Sequence, residues 1–184
     1  MSGFYAAYGA VRRLNNWCLA LSCVLIVLMT LLTLWEVITR YFFRQPAMWT
    51  YPVTSYLLLY SIYLALAYAL QRGAHVSVDF VLEMVPPAAR RWLERLGHVL
   101  GLAFTVIFLV QTWRLFTRHA ASGARDISTL SIPLAPMSFV LPLGVALLAI
   151  TYVFVLADSF LQPPGDPTLQ DRERARAGPL LELE

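Results

Sequence analysis

Four long uncharged stretches dominate this chain of 184 residues and restrict what it can fold into. They run from residue 17 to 35, from 45 to 71, from 96 to 113 and from 128 to 157. A helix needs about 20 apolar residues to cross the hydrocarbon core of a bilayer. Only helices and closed barrels satisfy the backbone polar groups at that depth. We therefore predict an all-α integral membrane protein with four transmembrane helices.

Prolines and charges at the ends of these stretches set the expected boundaries. We expect spans at about residues 17–38, 50–70, 96–116 and 136–157, within a membrane domain of residues 1–162. Pro136 suits the first turn of the fourth span, where no backbone N–H is required. Pro142 lies inside that span and is expected to kink it. The Pro-rich, charged residues 163–184 are expected to form a disordered cytoplasmic tail.

Composition argues against a separate soluble domain and against a nucleic-acid-binding surface. The chain is 59% hydrophobic and only 14% charged, and its net charge is +3. A nucleic-acid site requires a concentrated basic patch, so we expect membrane lipids, and no nucleic acid, among the partners.

The 14 basic residues are all arginines, and their positions predict an orientation. Positive residues in short loops are retained in the cytoplasm. The larger group flanks the termini and the connection between spans two and three: Arg12, Arg13, Arg72, Arg90, Arg91, Arg95, Arg172, Arg174 and Arg176. The smaller group lies in the other two connections: Arg40, Arg44, Arg114, Arg118 and Arg125. We therefore expect both termini in the cytoplasm.

The connection between spans two and three has a helical pattern of its own. His75, Asp79 and Glu83 recur at intervals of four residues, which places them on one face of a helix, and valines and leucines occupy the other face. This pattern predicts an amphipathic interfacial helix at about residues 76–85. A second amphipathic helix, at about residues 87–95, is expected to lead into the third span.

Glu36 is the only acidic residue inside an expected span, and a carboxylate within a membrane is a functional candidate. One hypothesis is therefore an autonomous small multidrug-type exporter that couples ion movement through Glu36. However, Glu36 lies one helical turn before Arg40, so an ion pair at positions i and i+4 is the simpler interpretation.

The three histidines raise the hypothesis of a haem-binding four-helix membrane protein, since such proteins hold haem between imidazoles of facing helices. His75, His98 and His119 all lie at or near the ends of spans, and the first and fourth spans contain none. We expect no haem, no metal site, no other cofactor and no catalytic residues.

Tyr56, Tyr60 and Tyr63 form a stripe at helical spacing in the second span. Hydroxyl groups facing lipid would lack hydrogen-bond partners, so this stripe is expected to face protein. The facing protein is either the rest of this chain or a larger membrane subunit. We carry both interpretations.

Several motifs resemble those of one family, the small membrane subunits of tripartite ATP-independent periplasmic (TRAP) transporters. They are Arg40-Tyr41-Phe42, Trp49-Thr50, Arg72-Gly73-x-His75-Val76-x-Val78-Asp79 and Leu141-Pro142-Leu143-Gly144. The resemblance covers about residues 10–160. Many members carry acidic residues directly after the tryptophan, whereas Trp49 here is followed by Thr50-Tyr51-Pro52. No role of those acids can be transferred. The small subunit of a tripartite tricarboxylate transporter has a similar architecture and is a third hypothesis.

The resemblance implies a scaffold subunit of the bacterial inner membrane, not an enzyme. Such a subunit pairs with a large multi-span transport subunit and helps to receive a periplasmic substrate-binding protein. In the family, uptake of organic acids such as C4-dicarboxylates or sialic acids is driven by a sodium or proton gradient. Sodium-coupled symport is thus an expectation, and the substrate and ion sites would lie in the large subunit.

Three groups of residues receive expected roles. Arg40, Arg44 and Trp49 are expected to shape the periplasmic face that contacts the binding protein, because arginines suit acidic partners; anchoring at the membrane edge is the alternative. The tyrosine stripe is the expected large-subunit interface. The remaining group is expected to fix the interfacial helix: Arg72, Gly73, His75, Asp79 and Glu83.

Overall fold

The computed structural model describes residues 2–45, 47–72, 87–127 and 130–161. Its helices are α1 (Ser2–Phe42), α2 (Thr50–Gln71), α3 (Pro87–Ser122) and α4 (Leu134–Leu161). Each is long and apolar enough to cross a membrane. Within the described ranges there is no strand, and extended backbone pairs only in an isolated bridge between Arg125 and Pro133. The predicted all-α class is confirmed for these residues, and the four helices have the length and apolarity expected of the four spans.

Helix lengths show which parts of the bundle extend beyond a bilayer. The 22 residues of α2 rise by about 33 Å, close to the hydrocarbon thickness of about 30 Å. The 41 residues of α1 and the 36 residues of α3 rise by about 60 and 54 Å. These two helices therefore continue well past the ends of α2.

The centre of the bundle is formed by α2 and α4, which pack against each other. On the outside, α1 packs mainly against α2 and α3 packs against α4. The buried core between the central pair consists of Ala67, Leu70, Leu148 and Tyr152. Because α1 and α3 are outer helices, most of their side chains face away from the bundle.

Gly144 is a point of close approach between α2 and α4. A β-carbon built onto it would lie only 2.5 Å from the carbonyl oxygen of Tyr63. Small residues allow membrane helices to approach at backbone distance. The absence of a side chain at Gly144 therefore sets the spacing of the central pair.

The helix ends refine the expected boundaries. Residues 87–95, expected as a separate amphipathic helix, are the first turns of α3 and continue into the third span without a break. Pro136 lies in the first turn of α4, as expected, and Pro142 lies inside it. The expected interfacial helix at 76–85 and the tail at 163–184 fall outside the described residues and stay predictions.

Candidate functional sites at the two ends of the bundle

The turn between α1 and α2 holds Arg44 in an unusual conformation. The carbonyl of Thr39 accepts hydrogen bonds from the backbone N–H groups of Phe43 and Gln45, at 3.2 and 3.3 Å. Between these two donors, Arg44 has a φ of 53°. This left-handed conformation usually belongs to glycine at a helix end, and it costs other residues about 1 kcal/mol or more. The turn thus presents an exposed arginine at a position where glycine would fit more easily.

Arg40 and Trp49 flank this turn. Arg40 forms an ion pair with Glu36, one helical turn earlier in α1, which confirms the pair expected from their spacing. Its side chain nevertheless remains more than half exposed. Trp49 directly precedes α2 and is also exposed. Arg40, Arg44 and Trp49 therefore lie around one turn, at one end of the bundle.

The loop between α3 and α4 reaches the same end and is tied to α2. The backbone N–H of Asp126 donates to Ile132 (2.9 Å), and that of Leu134 donates to Ala124 (3.0 Å). The Tyr56 hydroxyl donates to Asp126 Oδ2 at 3.0 Å. These bonds hold the base of the loop, and beyond Asp126 the side chain of Ile127 is fully exposed. Ile127 is therefore an apolar residue that this loop presents at the same end of the bundle as Arg44.

The predicted tyrosine stripe meets this chain's own helices. Besides the Tyr56 bond, the Tyr60 hydroxyl donates to Met137 Sδ at 2.8 Å. The ring of Tyr63 stacks on Phe108, with centroids 6.3 Å apart. The stripe thus connects α2 with α3, α4 and the loop between them. These contacts satisfy both hydroxyls without a second protein, so a large-subunit interface at the stripe stays a prediction.

At the opposite end, three buried polar side chains join three helices. Asn15 Nδ2 (α1) donates to Gln71 Oε1 (α2) and to Thr151 Oγ1 (α4), each at 3.1 Å. All three residues have no exposed surface. Thr151 donates its own hydroxyl proton to the Leu147 carbonyl (2.9 Å), so its oxygen can only accept from Asn15. This fixes the orientation of the Asn15 amide.

We call Asn15, Gln71 and Thr151 the amide clamp. Two of its atoms, Asn15 Oδ1 and Gln71 Nε2, are buried without a hydrogen-bond partner among the described residues. An acceptor and a donor so placed have the chemistry to hold one bridging water. Because Gln71 is the last residue of α2, the clamp ties that end of α2 to α1 and, through Asn15, to α4.

Arg72 is the member of the expected interfacial motif that the structure describes. Its Nε donates to the Tyr68 hydroxyl oxygen at 2.9 Å, and its guanidinium lies 5.2 Å from the Tyr68 ring centre. Arg72 is therefore held against α2 at the start of the connection. The other members of the motif, Gly73, His75, Asp79 and Glu83, lie outside the described residues.

The last turns of α4 also carry a partly buried polar contact and a buried acidic residue at this end. Arg95 of α3 donates to the Ser159 carbonyl at 3.1 Å and lies 5.1 Å from the ring centre of Phe160. Asp158, which directly precedes Ser159, is 1% exposed. The first turns of α1 join the same region, because Phe4 and Tyr8 contact the ring of Phe154. Three helices thus continue together beyond the end of α2.

The outward face of α1 carries a regular stripe of large apolar side chains. Successive members are separated by three and four residues in strict alternation, which is the heptad spacing of helices that pack as left-handed pairs. All are exposed, up to 76% for Trp17. This outer stripe consists of Leu14, Trp17, Leu21, Val24, Leu28, Leu31 and Trp35. Its tryptophans are 18 residues apart, or about 27 Å, which suits the two interfaces of a bilayer.

The geometry disfavours the cofactor and exporter hypotheses. His98 and His119 lie on the same helix, 21 residues and therefore about 31 Å apart, so they cannot ligate one haem. The described residues contain no cluster of histidine, cysteine, aspartate and glutamate that could hold a metal ion. Glu36 is paired with Arg40 near the end of α1, away from the middle of the bundle.

Sequence reasoning missed the amide clamp and Asp158. A polar residue at each end of an apolar run is ordinary, so Asn15 and Gln71 carry no signal individually. Their pairing depends on how α1, α2 and α4 cross. The burial of Asp158 depends in the same way on the continuation of three helices past α2.

Comparison with known proteins adds an independent line of evidence. The sequence model of the family described as "Tripartite ATP-independent periplasmic transporters, DctQ component" matches residues 29–162. Over 85 residues, 46% of this chain, it is 27% identical to the C4-dicarboxylate TRAP transporter small permease protein DctQ of Vibrio cholerae. Over 112 residues, 60% of the chain, it is 28% identical to the sialic acid TRAP transporter small permease protein SiaQ of the same organism. These matches span 37% and 62% of the two relatives' lengths.

Proposed function

This chain belongs to the family of DctQ components of tripartite ATP-independent periplasmic transporters, and we propose that it is the small scaffold subunit of one such uptake system. In this proposal it binds a large multi-span transport subunit in the bacterial inner membrane. A periplasmic binding protein delivers an organic acid to the assembly. The family is one of transporter components and not of enzymes, which agrees with a role in assembly.

The structural observation that carries the proposal is the outer stripe of α1. A lipid-facing helix needs apolar residues but no particular spacing, whereas the stripe keeps the heptad repeat over seven positions. Most helix pairs in membranes cross at about +20°, the left-handed geometry that a heptad repeat of apolar side chains favours. We assign the outer stripe to a helix of the large subunit. The tyrosine stripe, whose described contacts are with α3, α4 and the loop between them, would then help to hold together the bundle that presents this surface.

The binding protein would dock at the turn between α1 and α2. Three exposed residues, Arg40, Arg44 and Trp49, surround this turn, and the exposed Ile127 lies at the same end of the bundle. Charged groups at the rim of an interface guide encounter and register, and an exposed apolar residue supplies contact area. This assignment requires that end to face the periplasm, as the distribution of arginines predicts.

For the substrate and the driving force, we propose classes and not individual molecules or ions. The names of the two relatives refer to C4-dicarboxylates and to sialic acid, which are both organic acids carrying carboxylate groups. We propose an organic acid as the substrate class and a sodium or proton gradient as the driving force, with both binding sites in the large subunit.

Co-purification tests the assembly. The tagged chain is expressed together with the large membrane subunit proposed as its partner, and the pair is extracted in mild detergent. A stripe variant replaces Val24, Leu28 and Leu31 with alanine. A control variant replaces Ile26, Leu34 and Val37, which are exposed on other faces of α1. We expect the stripe variant to retain at least about fivefold less partner, equivalent to about 1 kcal/mol, and the control variant to retain as much as the unaltered chain.

Two outcomes would contradict the proposal. If the unaltered chain retained no large partner, the assignment as a scaffold subunit would fail. If the purified chain alone transported solutes across liposome membranes, it would instead be an autonomous carrier. Equal loss of partner in both variants would reject the outer stripe as the contact while leaving the family role intact.

A further inference from the structure

A groove lies between α3 and α4 on the outside of the bundle. It has a volume of about 580 Å³ and is lined by residues that include Val110, Trp113 and Arg114 of α3 and Phe139, Pro142 and Ala146 of α4. Sites for small molecules have volumes of about 300–1,000 Å³. Val110, Trp113 and Phe139 are each exposed by more than 40%, so the groove is open to the surroundings of the bundle.

The groove lies between two contacts that hold α3 and α4 together. On one side, a β-carbon added to Gly101 would lie 2.6 Å from the Tyr152 hydroxyl oxygen, so these two residues are in close contact. On the other side, His119 Nδ1 and Ser138 Oγ lie 3.1 Å apart. Between these contacts, the small side chain of Ala146 fills little of the space between the helices. The groove is therefore a fixed feature of the helix pair.

The walls are apolar with a single charged exception. Arg114 is the one ionisable residue among those that line the groove. No acidic side chain among the described residues pairs with it, and the sequence contains no acid from residue 96 to 125. Arg118 follows one turn later on the same face of α3. The apolar groove therefore carries positive charge at one end, near the end of α3 and the start of α4.

The dimensions suit a hydrocarbon chain. The α4 side of the groove runs from Phe139 to Ala146, about 10 Å along the helix axis. Half of a bilayer's hydrocarbon core is about 15 Å thick, so the groove fits within one leaflet. One end of the groove lies at Trp113 and Arg114. Tryptophan and arginine favour the level of the lipid headgroups. A helix, with a diameter of about 10 Å or more, would need a longer and wider surface.

We propose that this groove binds one acyl chain of an anionic phospholipid, whose phosphate is held by Arg114. Guanidinium groups bind phosphate through paired, charge-assisted hydrogen bonds. The apolar walls receive the chain, and Arg118 adds charge next to the headgroup. This site is separate from the outer stripe of α1 and does not depend on the proposed transport role.

Quenching of Trp113 fluorescence by brominated lipids tests the site. The full chain, with the other four tryptophans replaced by phenylalanine, is placed in phosphatidylcholine vesicles. These contain a small, fixed fraction of either brominated phosphatidylglycerol or brominated phosphatidylcholine. We expect the anionic lipid to behave as if it were enriched about fivefold around Trp113, the effect of one arginine near a lipid surface.

Three variants decide which charge is responsible. Arg114→Gln should abolish the preference for the anionic lipid, and Arg114→Lys should keep most of it. Arg44→Asn is the control: it removes an exposed arginine at the same end of the bundle, and asparagine tolerates the left-handed backbone there. The control should keep the full preference. Circular dichroism of each variant should show unchanged helix content.

The proposal fails if both brominated lipids quench the unaltered Trp113 equally, or if Arg114→Gln keeps the preference. It also fails if Arg44→Asn removes as much preference as Arg114→Gln, because surface charge in general would then be the cause. Protection of Trp113 from both lipids by the co-purified large subunit would overturn it too, by showing a protein helix in the groove.

Discussion

The side-chain amide of Asn15 donates to Gln71 across 3.1 Å, joining two buried residues that are 56 positions apart in the sequence. The same amide donates to Thr151, so one side chain of α1 connects both central helices. A hydrogen bond between membrane helices contributes about 0.6 kcal/mol on average and up to about 2. The amide clamp therefore fixes the register of α1 more than it adds to the total stability.

Replacing Asn15 with alanine should destabilise the bundle by about 1–2 kcal/mol, because Gln71 Oε1 and Thr151 Oγ1 both lose their donor while remaining buried. Unfolding in detergent with increasing denaturant measures the change. Asn16→Ala is the matched control, since Asn16 is an exposed neighbour on the same helix. Equal effects of the two substitutions would show that helix propensity, not the clamp, is responsible.

Arg44→Gly separates stability from docking. Glycine adopts a φ of 53° without a steric penalty, so this variant should be as stable as the unaltered chain or more stable by up to about 1 kcal/mol. It also removes a charge from the proposed docking surface. We expect weaker capture of the binding protein by the assembled system and slower uptake at low binding-protein concentration.

The comparison with Arg44→Ala sharpens this test. Alanine removes the same charge but keeps the strained backbone, so it should impair docking equally without any gain in stability. If Arg44→Gly raised stability and left binding-protein capture unchanged, Arg44 would have no docking role. Membrane-edge anchoring would then be the better explanation of its position.

The sequence predicts well those features that depend on a single helix. The four spans follow from runs of apolar residues, and the ion pair of Glu36 with Arg40 follows from their spacing of four. Neither depends on which helices are neighbours. Both were therefore accessible from the sequence before any tertiary structure was known.

The sequence predicts poorly those features that depend on packing between helices. The periodicity of Tyr56, Tyr60 and Tyr63 shows that they share a face but not what that face meets. Only the packing of α2 against α4 reveals Asp126 and Met137 as partners. The lipid-sized groove is still less accessible, because it is defined by the spacing of α3 and α4 and not by any motif.

Gly144→Ala should separate α2 from α4. The added methyl group would lie 2.5 Å from the backbone carbonyl of Tyr63, which cannot move aside as a flexible side chain could. Overpacking of this kind costs about 1–3 kcal/mol, and thermal unfolding in detergent should detect it. Gly97→Ala is the control, since a β-carbon there meets no atom within 4 Å. Equal stability of the two variants would contradict the assigned close approach.

Glu36→Gln addresses the last alternative, ion coupling through this chain. The pair with Arg40 is partly exposed and separated by one helical turn, and such pairs contribute only about 0.3–0.5 kcal/mol. We therefore expect the variant to assemble normally and to leave the ion dependence of uptake unchanged.

Uptake is measured in proteoliposomes that contain the complete system, with sodium and proton gradients imposed separately. Arg40→Gln removes the same ion pair but keeps the carboxylate; with the binding protein at saturating concentration, which offsets weaker docking at Arg40, it controls for loss of the pair. A loss of gradient-driven uptake in Glu36→Gln but not in Arg40→Gln would assign a coupling role to the carboxylate and overturn the scaffold interpretation.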